Sequence, residues 1–407
     1  MGPLNGIRIL DMSSVLMGPY ATQMLGDYGA EVIKVEAPEG DLVRQIGPHR
    51  HAGMGPLFLN TNRSKRSISL DLKRPEGRDV LLRLCADADV LVYNVRAKAM
   101  QRLGLSYEEV SAVNPRIVYA GMFGYGQDGP YASRPAYDDL IQGGALLPYL
   151  FTRTNGDEPR YVPSAVADRV VGLAATSAIL ASLIERDRSG KGQSVEIPMF
   201  ETMVSFVFAD HMGGLTFDPP LDRGGYARQL SPDRRPYQTR DGYICAMVYT
   251  DAHCERFFSA IGQAEMCNDP RFCTFAARMV HIDEVCGILS DIFLTRTTTE
   301  WLALLEEADV PVMPMHDFES VLNDPHLVAT QFFRSVDHPT EGRLRQMSIP
   351  TKWSRTIAEP SRPAPRHGEH GSEILQEVGF SPADIAELAE QGVLCGVTAA
   401  AKPVREI

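Results

Sequence analysis

The sequence predicts an α/β protein whose large domain is a doubly wound parallel sheet. Two observations lead to this prediction. Short apolar strands alternate with helices from the N-terminus onward, and the first strand–helix–strand unit takes only about thirty residues. Strands joined through a helix run parallel, and ligands of such open sheets bind outside the carboxyl ends of the strands.

The first βαβ unit begins with an apolar run at residues 7–12, which predicts a buried strand. Gly18-Pro19 opens a helix that ends before Gly29, and residues 31–36 alternate as a second strand. The same pattern then recurs along the chain. It predicts strands at 67–72, 90–93 and 117–120, and a helix at 75–85 with proline in its first turn.

A long helix rich in alanine and leucine is predicted at 168–186, followed by a strand at 194–197. The composition then shifts to proline, glycine and arginine at 219–236, where we place a domain boundary. The predicted domains are an N-terminal part of the large domain at 1–220, a smaller α+β middle domain at 221–315, and a C-terminal segment at 316–407 returning to the large domain. A hairpin turning at Asp241-Gly242 starts the middle domain, and a strand at 310–315 is expected to return to the first.

The charge balance argues against a nucleic-acid-binding protein. The chain has 40 basic and 52 acidic residues, a net charge of −12, and bulk charge of that sign repels a polyanion. Residues 1–110 are nearly neutral, so an anionic ligand is expected there.

The seven cysteines have no metal-site spacing and indicate reduced thiols. Because residues 170–184 are too short for a membrane span, we expect a cytoplasmic protein without a membrane partner.

A basic segment, residues 62–74, contains five Lys or Arg and one Asp. Such a run is usually a solvated surface, but guanidinium and ammonium groups also bind phosphate oxygens. On composition alone, both interpretations stay open. His367 and His370 lie near a proline-rich stretch and do not predict a metal site.

Asp168 stands at the start of the predicted long helix. Its simplest role there is that of an N-cap. The positive end of the helix would also keep its carboxylate ionised, which is what a nucleophile at neutral pH requires. Asp138 and Asp139 follow a glycine-rich loop, and either they start a helix ending near Gly143 or one of them supports a second carboxylate.

These segments together resemble the class III coenzyme A transferases, a group that includes formyl-CoA and carnitine CoA-transferases and the related alpha-methylacyl-CoA racemases. No single motif is specific, but their order along the chain is. The resemblance rests on residues 4–11, 18–24, 29–36, 62–73, 88–94, 103–105, 124–130, 137–138, 168 and 190–193, and it resumes at 241–243, 323–325 and 368–370.

The resemblance implies a large doubly wound domain interrupted by a smaller one, in chains that interlock as ring-like homodimers. It implies that Asp168 attacks a donor acyl-CoA, giving an aspartyl anhydride and then an aspartyl-CoA thioester. The substrates would be a CoA thioester and a small carboxylic acid, with no metal and no tightly bound cofactor. The positions that match CoA-binding residues of the family, or adjoin them, are Val15, Leu16, Leu70, Lys73, Asn94, Val95, Arg96 and Arg102. The basic segment would then serve the nucleotide end of CoA.

Tyr137 and Asp138 match the pair beside the catalytic aspartate. The racemases have histidine where this chain has Tyr137, because moving an α-proton requires a second acid or base. Since tyrosine has an ordinary pKa near 10, this residue favours a transferase. A racemase and a CoA-binding protein without catalysis stay as alternatives.

This chain lacks the glycine run that closes over the reacting group in formyl-CoA transferases. Gly224-Gly225 is followed instead by Arg228, Arg234 and Arg235. Arginine matches the geometry of a carboxylate, so these residues suggest a dicarboxylic substrate. A solvated linker is the alternative.

Overall fold

The computed structural model describes residues 1–156 and 158–396. Its strands are β1 (Arg8–Asp11), β2 (Glu31–Glu36), β3 (Lys65–Leu70), β4 (Val90–Tyr93), β5 (Val118–Phe123), β6 (Gln193–Pro198), β7 (Tyr237–Gln238), β8 (Tyr243–Ala246), β9 (Val312–Pro314), β10 (Phe333–His338), β11 (Gly342–Met347) and β12 (Leu394–Cys395).

The α-helices of the described residues are α1 (Met17–Asp27), α2 (Pro56–Leu59), α3 (Pro75–Ala86), α4 (Ala97–Arg102), α5 (Tyr107–Val113), α6 (Asp138–Gly144), α7 (Leu147–Asn155), α8 (Val166–Ser189), α9 (Met199–Phe208), α10 (Ala227–Leu230), α11 (Asp251–Ala260), α12 (Phe275–Val280), α13 (Ile282–Phe293), α14 (Thr298–Glu307), α15 (Pro325–Ala329), α16 (Gly371–Glu377) and α17 (Pro382–Glu390). Short 3₁₀ turns lie at Leu42–Gln45, Ala209–His211, Gly213–Thr216, Ala264–Asn268 and Ser320–Asn323.

The chain divides into two compact units. Unit 1 comprises residues 1–145, 162–205 and 329–396, and unit 2 comprises Leu146–Tyr161 and Phe206–Val328. The chain passes from unit 1 to unit 2 after Ser205 and returns after Val328. The boundaries predicted from the sequence are at 220 and 315. The insertion of 146–161 into unit 2 has no counterpart in that analysis. Residues 397–407 of the predicted C-terminal segment lie outside the described residues.

Unit 1 contains a seven-stranded sheet in the order β12-β3-β2-β1-β4-β5-β6. All neighbours pair in parallel except β12, which is antiparallel to β3. The predicted doubly wound sheet is therefore confirmed, with one antiparallel edge strand that the sequence analysis does not predict. A two-stranded antiparallel sheet of β10 and β11 also belongs to this unit.

Alternation along the strands separates two environments. Leu10, Ile33 and Ile68 point into a core formed with α3, α5, α16 and α17. Their neighbours Asp11, Lys34 and Lys65 point to the opposite face, near α1, and all three are fully buried. A period-two pattern thus places the apolar core on one side and buried charges on the other.

Helix α8 (Val166–Ser189) is long and apolar enough to cross a membrane by length and composition. In the structure it packs against α1, α6, β5 and β6. Near its C-terminal end Arg186 is buried and pairs with Asp89 at 2.7 Å. The helix therefore has the contacts of a core helix of unit 1.

Unit 2 has its own core of aromatic and aliphatic residues around Phe257, Phe293 and Trp301. The predicted hairpin is present, since β7 pairs with β8 in the antiparallel sense across the Asp241-Gly242 turn. The predicted return of 310–315 to the first domain is wrong. Strand β9 pairs with β8 instead, because Val312 and Met313 find their main-chain partners on that hairpin.

Candidate active site

The carboxyl ends of β1 and β4 meet at the point where the strand order of the sheet reverses. Strands β2 and β3 lie on one side of β1, and β4 to β6 lie on the other. The loops that leave β1 and β4 here diverge, and open α/β sheets bind ligands in the resulting crevice. The loops in question are residues 12–16 and 94–96.

A cavity of about 260 Å³ lies at this edge of unit 1. It brings together seven of the eleven predicted site residues from four separate segments of the chain. These seven are Val15, Asn94, Val95, Arg96, Tyr137, Asp138 and Asp168. The lining does not include Leu16, Leu70, Lys73 or Arg102.

Asn94 holds the loop that follows β1. Its Oδ1 accepts a hydrogen bond of 3.0 Å from the main-chain N–H of Ser14, and its Nδ2 donates to the Ser14 carbonyl oxygen at 2.9 Å. The next residue, Val15, has φ = +70°, which is strained for a β-branched side chain. Asn94 therefore fixes a strained loop of the cavity wall in addition to any contact with a ligand.

Buried charged side chains also hold the loop that follows β1. The Lys34 ammonium donates to the Ser13 carbonyl oxygen at 2.9 Å and to Asp41 Oδ2 at 3.0 Å, while Asp41 Oδ1 accepts the Val15 N–H at 3.1 Å. Burial alone would raise the pKa of Asp11, but Lys65 and Lys34 bring it down to about 2. The charges are thus paired, as buried charges must be. Sequence reasoning missed this role, although charged residues inside apolar strands were its visible signal.

Most basic side chains of the basic segment pair with carboxylates of the protein and are not available to bind phosphate. Arg63 pairs with Asp27 at 2.8 Å and Lys65 pairs with Asp11 at 2.9 Å, both in buried positions. Arg66 pairs with Glu31, Glu373 and Glu377. The interpretation of these three as the nucleotide end of the site is therefore wrong. They lie on or just before the buried strand β3, where a charge must be neutralised within the protein.

Lys73 is the member of this segment that remains available. It is exposed, and no described residue forms an ion pair with it. Leu70, at the end of β3, is fully buried in the core. Its side chain therefore packs inside the protein, and its main chain is in register with Leu394 of β12.

Arg96 and Arg102 lie at the two ends of α4 and are exposed. Neither has an ion-pair partner among the described residues, in contrast to the buried arginines of β3. Leu16 is buried with Val43 and Phe58. The two arginines thus remain free for an anion near the cavity, whereas the Leu16 side chain packs inside the protein.

Asp168 lies within the first turn of α8, which begins at Val166 after Ala165. The prediction that Asp168 is the N-cap is therefore wrong, because the N-cap is Ala165, three residues earlier. The side chain is 9% exposed and lines the cavity.

Asp138 and Asp139 do begin a helix, α6, which ends at Gly144 as predicted to within one residue.

Asp138 is held beside Asp168 by two hydrogen bonds. The main-chain N–H of Asp168 donates to Asp138 Oδ1 at 2.9 Å, and Gln142 Nε2 donates to Asp138 Oδ2 at 2.6 Å. Gln142 is fully buried, and its Oε1 accepts the Val162 N–H at 2.9 Å. It thereby ties α6 to the segment that leads into α8. Sequence reasoning missed Gln142, whose only signal was its i+4 spacing from Asp138.

The pKa of Asp168 is raised to about 7. Burial of the carboxylate is the main cause and the negative charge of Asp138 adds to it, while Arg169 opposes the shift. The expectation that the helix terminus keeps this carboxylate fully ionised is therefore wrong, because desolvation and the Asp138 charge outweigh the helix dipole. A desolvated carboxylate close to neutrality is suited to nucleophilic or acid–base chemistry.

Tyr137 is the residue that precedes α6, and its side chain is 67% exposed. It lines the mouth of the cavity together with Arg134, whose guanidinium lies over the Tyr131 ring at 3.9 Å. No described residue fixes the Tyr137 hydroxyl. It is therefore placed for contact with a ligand entering the cavity.

No group of three or more metal-ligating side chains occurs in residues 1–156 and 158–396. His367 Nε2 lies 3.0 Å from the Ala37 carbonyl oxygen, and His370 Nδ1 accepts the Ser67 N–H at 3.3 Å. Both imidazoles therefore contact the main chain near β2 and β3.

Comparison with known proteins gives one consistent family. The model of the family described as CoA-transferase family III matches residues 4–371. The chain is 32% identical to the human succinyl-CoA:glutarate CoA-transferase, over 96% of this chain and 90% of that protein. It is 34% identical to the succinate–glutarate CoA-transferase of Agrobacterium fabrum, over 92% and 96%. The crystal structure of a CAIB/BAIF family protein from Brucella suis superposes with a TM-score of 0.77 at 32% identity, covering 93% of this chain and 99% of that chain.

Proposed function

We propose, for a chain that belongs to CoA-transferase family III and is an enzyme of that family, that Asp168 is the nucleophile through which CoA passes from an acyl-CoA to a free carboxylic acid. The observation that supports this role is the placement of a nearly buried carboxylate at the switch point of the sheet. Burial is the main cause that raises its pKa to about 7, and the second carboxylate held beside it adds to the shift.

In the proposed reaction, an Asp168 carboxylate oxygen attacks the thioester carbonyl of the donor. The C–S bond breaks and CoA leaves as a thiolate, which gives a mixed anhydride on Asp168. The thiolate then attacks the aspartyl carbonyl, so that the donor acid is released and an aspartyl-CoA thioester forms. The acceptor carboxylate reverses both steps, and the thioester energy is conserved because water is kept out.

Ionisation controls the first of these steps. Only the carboxylate form of Asp168 attacks, and burial makes that form less solvated and more reactive than a surface carboxylate. Asp138 accepts the main-chain N–H of Asp168 and fixes the start of α8 relative to α6. Asp138 is therefore a positioning residue in this proposal.

We propose that CoA enters along the carboxyl ends of β1, β3 and β4. The support is the exposure of Lys73, Arg96 and Arg102 near these strand ends, without ion-pair partners in the described part of the chain. Phosphate groups bind such free cations strongly. Val15 and Val95 line the same cavity as Arg96 and Asp168.

Succinyl-CoA as donor and a dicarboxylate as acceptor are our proposal for the substrates. Two relatives at 32% and 34% identity are named for succinate or succinyl-CoA and glutarate. The arginines predicted to bind a second carboxylate, Arg228, Arg234 and Arg235, line one cavity in unit 2. Unchanged acceptor KM values in all three Arg→Ala variants would contradict a dicarboxylate contact there.

We further propose a homodimer of interlocked chains that acts in the cytoplasm. The support is the resemblance to the family, together with seven cysteines that all stand as free thiols, as expected in a reducing compartment. Light scattering of the purified protein tests the dimer, since a monomer at micromolar concentration would contradict it.

A mass-spectrometric screen tests the proposed reaction. The protein is incubated with succinyl-CoA or other acyl-CoAs and a pool of carboxylic acids, with the Asp168→Ala variant alongside. We expect new acyl-CoA species with the wild type and none with the variant, which should still bind CoA. Turnover by Asp168→Ala would exclude Asp168 as the nucleophile. Deuterium incorporation at an α-carbon without CoA transfer would instead identify an isomerase.

A further inference from the structure

Unit 2 contains a cavity of about 430 Å³, within the range of roughly 300–1,000 Å³ typical of small-molecule sites. All of its lining residues belong to unit 2. Four arginines line it, namely Arg228, Arg234, Arg235 and Arg278, and no aspartate or glutamate does.

This charge distribution stands out against the composition of the unit. Residues 206–328 contain nine arginines, no lysine and 19 acidic residues. Nearly half of the basic side chains therefore converge on one cavity from which every acidic side chain is absent. Guanidinium groups gathered in one cavity wall repel one another and favour a bound anion.

The arginines differ in how far they are already neutralised. Arg235 pairs with Asp233 at 3.2 Å, and Arg278 pairs with Asp251 at 2.6 Å. Arg228 and Arg234 have no carboxylate partner in the described ranges. The Arg228 guanidinium lies over the Tyr249 ring at 4.8 Å. Two uncompensated positive charges are therefore available to a ligand.

Arg278 adds a second, independent observation. Its side chain is 1% exposed, and its terminal nitrogens donate to Asp251 and to the carbonyl oxygens of Phe272 and Tyr249. Its Nε is buried and has no hydrogen-bond partner among the described residues. An unpaired buried N–H in a cavity wall is a donor that a ligand oxygen can satisfy.

The rest of the wall is mainly apolar. It is formed mainly by Met247, Met279, Ile282, Leu289, Val312 and Met313. Such a surface suits an aliphatic chain, and methionine side chains adapt to chains of different length. A phosphorylated or sugar-bearing ligand would leave its many polar groups unpaired against these residues.

We infer that this cavity binds an aliphatic carboxylic acid, with its carboxylate on Arg228 and Arg234 and its chain along the methionine-lined wall. The inference deepens the proposed function and rests on the carboxylate contact proposed there for these arginines, since it names the two arginines and the apolar wall that hold the acid. The site is a binding site for a free acid and requires no covalent step.

Two cysteines allow the site to be tested in the intact protein. Cys245 is exposed and lines the cavity, whereas Cys273 is exposed and does not. Alkylation by iodoacetamide is followed at each thiol by peptide mass spectrometry, in the Asp168→Ala variant so that no transfer occurs. The probes are hexanoate, glutarate and sulfate at equal ionic strength, with no CoA present.

We expect hexanoate and glutarate to slow alkylation of Cys245 about tenfold at ten times their dissociation constant. The rate at Cys273 should not change. The double variant Arg228→Gln, Arg234→Gln should need about ten to a hundred times more acid for the same protection, because charged hydrogen bonds are lost. Arg223→Gln, an exposed arginine outside the cavity lining, is the matched control and should behave as the parent.

Three outcomes would overturn the inference: no protection of Cys245, equal protection by sulfate, or full protection in the double variant. A melting temperature for the double variant equal to that of Arg223→Gln shows that the result reflects binding rather than folding. Failure of the transferase reaction would leave this test unaffected, since it is performed without turnover.

Discussion

The main-chain N–H of Asp168 donates a hydrogen bond of 2.9 Å to Oδ1 of Asp138. One carboxylate is thereby anchored to the backbone of the residue that carries the other. The negative charge of Asp138 then adds to burial in raising the pKa of Asp168 to about 7. This contact thus fixes the position of the candidate nucleophile and adds to the effect of burial on its ionisation.

This contact predicts the pH dependence of CoA transfer. Because Asp168 attacks only as a carboxylate, kcat/KM for the donor should fall on the acid side of about pH 7. In Asp138→Asn the charge that raises the pKa is absent, so the acid limb should move to lower pH. Steady-state rates from pH 5 to 9 measure the shift. An Asp138→Asn profile identical to that of the wild type would contradict the coupling.

The ionisation of Asp168 should also affect the free energy of unfolding. Raising the pH should lower this stability, whereas it should increase the catalytic rate. A carboxyl whose pKa rises from 3.8 to about 7 on folding binds a proton more tightly in the folded protein. Folding is therefore penalised progressively as pH rises from about 4 to 7, and above pH 7 the penalty reaches about 4 kcal/mol. Asp168→Asn should unfold at higher urea at pH 8, and this gain should shrink as pH falls from 7 towards 4. A gain that is independent of pH would contradict the prediction.

Gln142 should matter for both rate and stability. Gln142→Leu removes the amide that donates to Asp138 Oδ2 and leaves the Val162 N–H without its acceptor. We expect a loss of about 1–3 kcal/mol in the free energy of unfolding. We also expect kcat to fall about tenfold or more as the carboxylate pair loosens, with little change in donor KM. Gln193→Leu, which removes a weak contact with Glu185 at 3.5 Å, is the control and should change neither.

Two lysines of the basic segment should give opposite results. Lys65 is fully buried against Asp11, so Lys65→Met leaves a buried carboxylate short of one partner and should cost about 3–5 kcal/mol of stability. Lys73 is exposed, so Lys73→Met should change stability by less than about 0.5 kcal/mol. It should instead weaken CoA binding, most at low salt. Urea unfolding and calorimetric CoA titration distinguish the two, and a stable Lys65→Met with reduced CoA affinity would restore the phosphate interpretation.

Asn94 should control the loop after β1. Asn94→Ala removes both hydrogen bonds to the Ser14 peptide and frees the strained Val15. We expect KM for the acyl-CoA to rise about tenfold, the equivalent of one well-formed hydrogen bond. Asn323→Ala, which loses an exposed contact with the Glu319 carbonyl oxygen, should leave KM unchanged. An unchanged KM in Asn94→Ala would show that the loop keeps its conformation without the clamp.

Much of the fold follows from patterns of short range. The βαβ alternation predicts the parallel sheet, and β2 and β4 have the predicted boundaries because apolar periodicity is a local property. The edge strand β12 and the pairing of β9 depend on partners far along the chain. No local pattern identifies such partners.

The candidate site shows the same division. The resemblance to a family points to Asp168, Asp138 and Asn94, and seven of the eleven predicted residues do meet in one cavity. Gln142 was not predicted, because its i+4 spacing from Asp138 is a weak signal and its contact with Val162 appears only in the tertiary structure.

The sequence by itself determined the class of fold, the family and the set of residue types at the site, because periodicity, composition and ordered motifs are written along the chain. Only the tertiary structure decided how each charge is used. Lys65 and Lys73 look alike in a basic run, yet one is buried against Asp11 and the other faces solvent. Likewise, helix position alone favours an ionised Asp168, while burial and Asp138 raise its pKa to about 7. Burial and the distance between charges set these energies, and both depend on contacts between residues far apart in the sequence.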